Sequence, residues 1–468
     1  MQTVAQRLVE RLGARAVLTD TDQMAPWLSD WRGIYAGRAQ AIVRPENTAA
    51  VADCIRICFE TGTPVVPRGG NTGLCGGATP DDNPANVVLS LDRMSAIRSI
   101  DATGNIITAE AGCVLGNLRR AAAAENRLLP LSLAAEDSCQ LGGNLSTNAG
   151  GVNVVRYGMA RELVVGLEAV LPDGAVLNAL RTMRKDNTGY DLKQLLIGAE
   201  GTLGVITAAS LKLYPRNDSR VTVLAGLAGA AEALGLFRLA YDRCGDRIQA
   251  FEFFTDACLD MVLAQVPGVT APFAERYQAY VLMELADSAA EASLRSLIEE
   301  IMGQALELEL CGDAVVSQSI AQLAAMWRLR EEISEAQRAD GPHLKHDVSL
   351  PTAAIPAFLE TAAARVRGCN PDVRLVVFGH FGDGNLHYNV SRPRGAADAF
   401  LAAHGGALTD AILDEVARYG GSISAEHGIG RLKRRHFERY KDPLELDLMR
   451  RIKHVLDPKG IMNPGKLL

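Results

Sequence analysis

Three glycine-rich stretches crowd into the first half of the chain, and they limit what it can fold into more than any other feature. They are Arg68 to Gly73, Leu141 to Gly151 and Gly198 to Gly204. Each glycine costs backbone entropy on folding, so a chain that keeps so many needs a physical reason. The usual one is close approach of backbone N–H groups to an anion such as a phosphate or pyrophosphate. One loop alone reads as a tight turn; three, rich in Asn, Ser and Thr, read as the cradle of one large ligand. A strand, helix and strand lead into the first loop. Ala41 to Val43 is extended, Thr48 is the expected N-cap, Val51, Cys54, Ile55, Cys58 and Phe59 recur at helical spacing, and Gly62 stops the helix before Pro64 to Pro67. No Gly-x-Gly-x-x-Gly follows a strand, which excludes the usual nicotinamide site. Gly460 to Lys466 imitates a phosphate-binding P-loop, but Leu467 follows where Ser or Thr is needed and the chain ends before any helix, so ATP is excluded there.

At 468 residues the chain exceeds one compact core, and the polar stretch from Pro215 to Arg220 is the natural boundary between domains. A net charge of -7 argues against a nucleic-acid partner. No run approaches the roughly 20 apolar residues of a transmembrane helix. Arg7, Arg11 and Arg15 recur at helical spacing among apolar residues; with Glu10 present and serines absent, a capping helix fits better than a targeting presequence. Nine cysteines are scattered without a Cys-x-x-Cys pair, which suits a reducing, cytoplasmic setting, and Cys54 and Cys58 read as apolar filler on one helical face.

Two of only eight histidines, His380 and His387, flank Phe381 to Leu386. With strands on both sides and Asp383-Gly384 as a two-residue turn, they are expected directly opposite each other on one face of a hairpin, with Asn389 on that face too. Such a pair can bridge one metal, and a carboxylate would complete a three-ligand site with an open position. Glu426, in Ser424-Ala425-Glu426-His427-Gly428, is the best candidate. Two imidazoles and a carboxylate suit zinc first, with manganese or iron(II) also compatible. Trp327 to Ser334 reads as one helix with Arg330 and Ser334 four apart on a shared face; alone, these and Lys345 look like ordinary solvated side chains.

Pro67 to Gly73 resembles the pyrophosphate loop of the vanillyl-alcohol oxidase and p-cresol methylhydroxylase flavoprotein superfamily. Within it, Arg184 to Lys193 and Ile197 to Ile206 are similar to the D-2-hydroxyglutarate dehydrogenase branch, and the likeness runs from about Tyr35 to the C-terminus. The resemblance implies an α+β fold: a two-subdomain FAD-binding domain over residues 1–216 (core about 37–216), a cap domain of antiparallel sheet and helices over 217–420, and a C-terminal segment, 421–468, returning to the flavin domain. It implies that FAD is surrounded by Arg68, Gly69, Gly70, Asn71, Thr72, Gly73, Gly142, Gly143, Asn144, Thr147, Asn148, Glu200, Gly201, Gly204, Val205, Ile206 and Asn463. No histidine lies in the first loop, where relatives with covalent flavin often attach it, so FAD is expected to be non-covalent. His380, His387 and Glu426 match the metal ligands and His427 the catalytic base; Arg330, Ser334 and Lys345 match substrate-binding positions, with Asn389 beside them.

The expected activity is oxidation of a small D-2-hydroxy acid, D-2-hydroxyglutarate first, because Arg330 and Lys345 offer two cationic anchors for carboxylates. D-lactate, glycolate and D-malate are alternatives within the family. A metal-dependent hydrolase of a phosphorylated substrate, or a flavin-containing transferase or lyase without net redox chemistry, would be other classes. Reduced FAD would pass its electrons to an electron-transfer flavoprotein or a quinone. The oligomeric state is open, a homodimer being one option.

Overall fold

A computed structural model describes residues 2–288, 290–397 and 399–468, and the chain divides into two compact units. The first comprises residues 1–151, 158–216 and 426–468; the second comprises 152–157 and 217–425. Compared with the boundaries that the resemblance implies, 152–157 leave the first unit for the second, and 421–425 stay with the second.

Two larger sheets form the frame of the first unit, beside a two-stranded pairing of Arg127–Leu128 with Tyr214–Pro215. Strands β1 (Val17–Leu18), β2 (Ala41–Val43), β3 (Val65–Arg68) and β4 (Val87–Ser90) form a sheet in the order β1-β2-β4-β3, parallel except at β1. Helix α1 (Thr48–Thr61) connects β2 to β3, and its inner face, Val51, Cys54, Ile55 and Cys58, is fully buried. Its cap is Asn47 rather than Thr48: the Asn47 carboxamide accepts from the Ala50 N–H, while the Thr48 hydroxyl lies 2.6 Å from the buried Glu168. Gly62 ends the helix with φ +67°. The N-terminal helix Val4–Leu12 docks through Arg7 on Glu60 and Arg11 on Asp53, so the spacing of these arginines serves a helix–helix contact.

Strands β5 (Ile97–Asp101), β6 (Ile106–Glu110), β7 (Val164–Val170), β8 (Val176–Ala179) and β9 (Val205–Lys212) form the second, antiparallel sheet in the order β5-β6-β9-β7-β8. The C-terminal residues complete the first. Val65 donates to the Ile461 carbonyl and accepts from the Asn463 N–H, adding this run to the edge of β3. Asp457 clasps the run by accepting from the N–H groups of Ile461 and Met462. What imitates a P-loop is therefore a strand-edge brace.

At its end Lys466 is 2% exposed, and burial, followed by the nearby Arg431, pushes its amine down to about 8 although Asp81 opposes the shift. A cation depressed from its ordinary value is penalised in the fold at neutral pH. Lys466→Met should therefore raise thermal stability at pH 7 by an amount on the order of 3 kcal/mol. The advantage should shrink as pH rises from about 8 to about 10.5, where the wild-type amine becomes neutral in both folded and unfolded chains. Thermal melts of both proteins at pH 7 and pH 10 test this, and an equal gain at both would refute it.

The second unit is built on one antiparallel sheet. Its strands are β10 (Ser219–Leu227), β11 (Ile248–Thr255), β12 (Ala279–Asp287), β13 (Asp313–Val316), β14 (His343–Leu344), β15 (Asp347–Ser349), β16 (Arg374–His380) and β17 (Asn385–Ser391), in the order β13-β10-β12-β11-β16-β17-β14, with β15 also pairing β17. Phe254, Tyr280 and Leu282 pack on it with Leu329, Ile333 and Phe378 in one buried cluster.

Candidate functional site

In the first unit the three glycine stretches converge on a cavity that is open to solvent at its mouth. Arg68 to Gly73, Gly142, Gly143, Asn144, Thr147, Glu200, Gly201, Gly204, Val205 and Ile206 all line it, and His427 stands in the same wall. At Gly70 and Gly142 a side chain would not fit. A Cβ on Gly70 would lie 2.1 Å from the Ser138 carbonyl oxygen, and one on Gly142 would lie 2.7 Å from Ala111 Cβ. Four of the sequence-derived cofactor residues, Asn71, Asn148, Glu200 and Asn463, have φ between +42° and +56°, the left-handed region that Asn tolerates better than most residues and Glu seldom adopts. Among the described residues no backbone N–H from Gly69 to Gly73 donates to a protein carbonyl. The buried Gln140 Oε1, at the cavity wall, also lacks a partner. The unmet N–H donors of the glycine-rich loop fit an anionic ligand carrying phosphates, while the Gln140 oxygen is an acceptor open to a donor group of that ligand.

Several of these residues act as braces. The Arg68 guanidinium donates to the carbonyls of Pro26, Trp27 and Ser29, pinning the segment before β2 onto the loop; burial lowers its pKa to about 10. Asn148 and Asn463 lie outside the cavity lining: the Asn148 carboxamide oxygen accepts from the Arg161 N–H, and the Asn463 Nδ2 donates to the carbonyls of Gly77 and Glu200. Glu200 does more than line the wall. Its two oxygens accept from the N–H groups of Ile429 and Gly430 at 2.7 and 2.8 Å, which staples the loop that carries His427. Gly430 could not be another residue there, since a Cβ would lie 2.2 Å from the Cys75 carbonyl oxygen. Glu426 neighbours His427, with 3.6 Å between a carboxylate oxygen and His427 Nε2.

The second unit holds the other constellation, and its register corrects the expected hairpin. Phe381–Asp383 is a 3-10 turn closed by Gly384 at φ +88°, so four residues, not two, separate the strands. His387 therefore faces Phe378, and the two histidines are diagonal neighbours rather than a direct pair. A shift of two residues preserves the side-chain face, and the two rings lie 5.8 Å apart by centroids. Each histidine instead has an acid as its direct cross-strand partner: His380 faces Glu252 on β11, and His387 faces Asp347 on β15. Glu252, fully buried, meets His380 Nδ1 at 2.7 Å; Asp347, 1% exposed, lies 3.9 Å from His387 Nδ1. Burial pushes the Glu252 carboxyl up, but its neighbours His380 and Arg330 outweigh it and hold it below its ordinary value. Histidines backed by carboxylates are the pattern of metal ligands whose ring orientation is set from behind.

Sequence reasoning missed both acids. A lone Glu in the apolar run Phe251-Glu252-Phe253-Phe254 was the available signal.

The substrate anchors separate. The expected continuous helix is two, α2 (Ile320–Glu331) and α3 (Ile333–Asp340), broken at Glu332. Arg330 is buried, with its guanidinium 4.8 Å over the Phe378 ring and 2.8 Å from Glu252, whereas Ser334 is exposed, so they do not share a face. Lys345 is half-buried between β14 and β15. The Asn389 carboxamide donates to Gln337 and accepts from the His346 N–H.

Residues 216–467 match the family described as FAD linked oxidases, C-terminal domain, and residues 39–180 match the FAD binding domain family. The D-2-hydroxyglutarate dehydrogenase of Xanthomonas citri pv. viticola is 40% identical over 463 residues, 98% of this chain and 96% of its own length. The mitochondrial D-2-hydroxyglutarate dehydrogenase of Bos taurus is 40% identical over 461 residues, 98% of this chain and 82% of its own. Among solved structures, p-cresol methylhydroxylase with substrate bound superposes with a TM-score of 0.76 at 16% identity, over 99% of this chain and 96% of that one. The 4-ethylphenol oxidase from Gulosibacter chungangensis gives 0.75 at 18% over the same shares, and both likenesses show the α+β flavoprotein fold alone. With a glycine-floored cavity in one unit, and with identity sustained over nearly the whole chain, the protein belongs to the FAD-linked oxidase family, in its D-2-hydroxyglutarate dehydrogenase branch.

Proposed function

We propose that the protein oxidises a D-2-hydroxy acid, D-2-hydroxyglutarate in the first instance, to the 2-oxo acid, using non-covalent FAD and a divalent cation, zinc first. The observation that carries this is His427, a titratable side chain in the wall of an otherwise glycine-floored cavity. In this reading His380, His387 and Glu426 hold the cation, and His427 accepts the substrate hydroxyl proton as general base. Arg330 and Lys345 receive carboxylates through charge-assisted hydrogen bonds, Ser334 and Asn389 supply polar contacts, and the loop from Arg68 to Gly73 takes the pyrophosphate. When bound, FAD supplies a hydride acceptor and the cation supplies Lewis acidity.

Support for the substrate class comes from the buried Arg330, whose Nε finds no hydrogen-bond acceptor. Support for the metal comes from the carboxylates behind both histidines. Two electrons must then leave the flavin for an electron-transfer flavoprotein or a quinone. No described helix is long and apolar enough to cross a membrane, and the nine cysteines are free thiols.

The test is anaerobic. The purified protein should be yellow, bleach on adding D-2-hydroxyglutarate but not the L-isomer, and lose that response to a chelator until zinc or manganese is restored. Acid precipitation should leave the colour in the supernatant. A flavin that no 2-hydroxy acid bleaches would sink the proposal.

A further inference from the structure

The buried acid Glu252 has no part in the reaction as described above, yet it sits where it can govern two residues that do. Its strand, β11, runs through the middle of the sheet, and its neighbours Phe251, Phe253 and Phe254 are buried aromatics. A carboxylate in such surroundings is costly unless it is paired, and removing one partner of a buried pair is costlier still. Both of its oxygens have a designated neighbour. Oε1 lies 2.7 Å from His380 Nδ1, across a direct strand pair. Oε2 lies 2.8 Å from Arg330 Nη2, with the guanidinium stacked on Phe378, two residues before His380. The second contact is an ion pair without hydrogen-bond alignment, since Oε2 and Arg330 Nε are both left without a hydrogen-bond partner.

Neutral histidine carries one ring proton, and the nitrogen that bears it is decided by the partner of the other. A carboxylate at Nδ1 keeps the proton there and puts the lone pair on Nε2. The same acid, through its second oxygen, keeps Arg330 over Phe378.

We propose that Glu252 is a positioning residue: one buried carboxylate sets the tautomer and ring orientation of His380 and tethers Arg330 beside it. This rests on the reading of His380 as a metal ligand. It makes Glu252 the common support of a metal ligand and a substrate anchor without contact to substrate or flavin.

The experiment uses the FAD-loaded protein and zinc affinity, measured by competition with a chromophoric chelator. Glu252→Gln should weaken zinc binding about 10- to 100-fold, the usual effect of losing a carboxylate behind a histidine ligand, while flavin absorbance stays that of wild type. An unchanged zinc affinity in a folded Glu252→Gln protein would overturn the role of Glu252 alone. A wild type that binds no zinc, or whose zinc affinity is untouched by His387→Ala, would overturn the metal reading as well, so the two failures are told apart. The tautomer is read independently on wild type by nitrogen-15 spectra of histidine-labelled protein, with His380 assigned by its loss in His380→Asn. A proton on Nδ1 is expected. A proton on Nε2 would overturn the proposal even if Glu252→Gln fails to fold.

Discussion

His427→Ala should slow anaerobic flavin reduction by D-2-hydroxyglutarate by about 10²- to 10⁴-fold, the usual contribution of a positioned general base. FAD should stay bound, because most of the cavity lining comes from the three glycine stretches, none of which depends on the imidazole. Stopped-flow absorbance of the flavin separates these two effects in one sample. His427 is the one histidine among the cavity-lining residues, and it follows Glu426 directly, so a proton acceptor and a carboxylate reach the same stretch of chain. A reduction rate within about threefold of wild type would remove His427 from the chemistry and pass the base role to another group. Loss of flavin on purification would show instead that the imidazole belongs to the cofactor cradle.

Glu200→Ala should unfasten the loop that carries His427. The carboxylate accepts from Ile429 and Gly430, and no neighbouring side chain replaces it when it is cut back to a methyl. Each buried N–H left without an acceptor costs about 1–3 kcal/mol, so a loss of roughly 2–6 kcal/mol is expected. Flavin reduction should fall at least about tenfold at temperatures where the variant is still folded, since misplacing a catalytic group by about an ångström costs rate steeply.

Glu200→Gln separates charge from shape. Burial pushes the Glu200 carboxyl up, against the N–H groups of Ile429 and Gly430 and the charge of Lys433, so the folded state holds its proton more tightly than the unfolded chain does. That contribution is fully present below the ordinary carboxyl range and is lost as pH rises through the raised value. The deficit of Glu200→Gln relative to wild type should therefore be larger at pH 5 than at pH 8 in thermal melts. The opposite slope would show that the N–H groups favour the carboxylate more strongly than burial disfavours it.

What was legible without the structure was local. Helical spacing from Val51 to Phe59, the stop at Gly62 and the three glycine stretches follow from rules that act over a few residues, whereas the α+β fold was implied by the family resemblance of the longer motifs. The pairing of His380 with His387 was half legible. Period-two alternation placed both on one face, but Asp383-Gly384 promised a two-residue turn where the chain builds four. Gly384 explains why: a Cβ there would lie 2.2 Å from the Leu350 carbonyl oxygen, a contact set by a segment more than 30 residues away. Arg330 and Ser334 failed for a related reason, since a helix break at Glu332 rotates them apart and i, i+4 spacing holds only inside one helix.

The sequence by itself determined which residue types the chemistry has to work with: glycines where backbone must come close to a ligand, and histidines and acids in short motifs. Tertiary structure alone decided their partners. Glu200 reaches the loop after His427 across more than 200 residues, and Glu252 reaches His380 across 128. Burying a carboxylate is unfavourable until a distant strand or loop supplies its donors, and no local pattern records where those donors will come from.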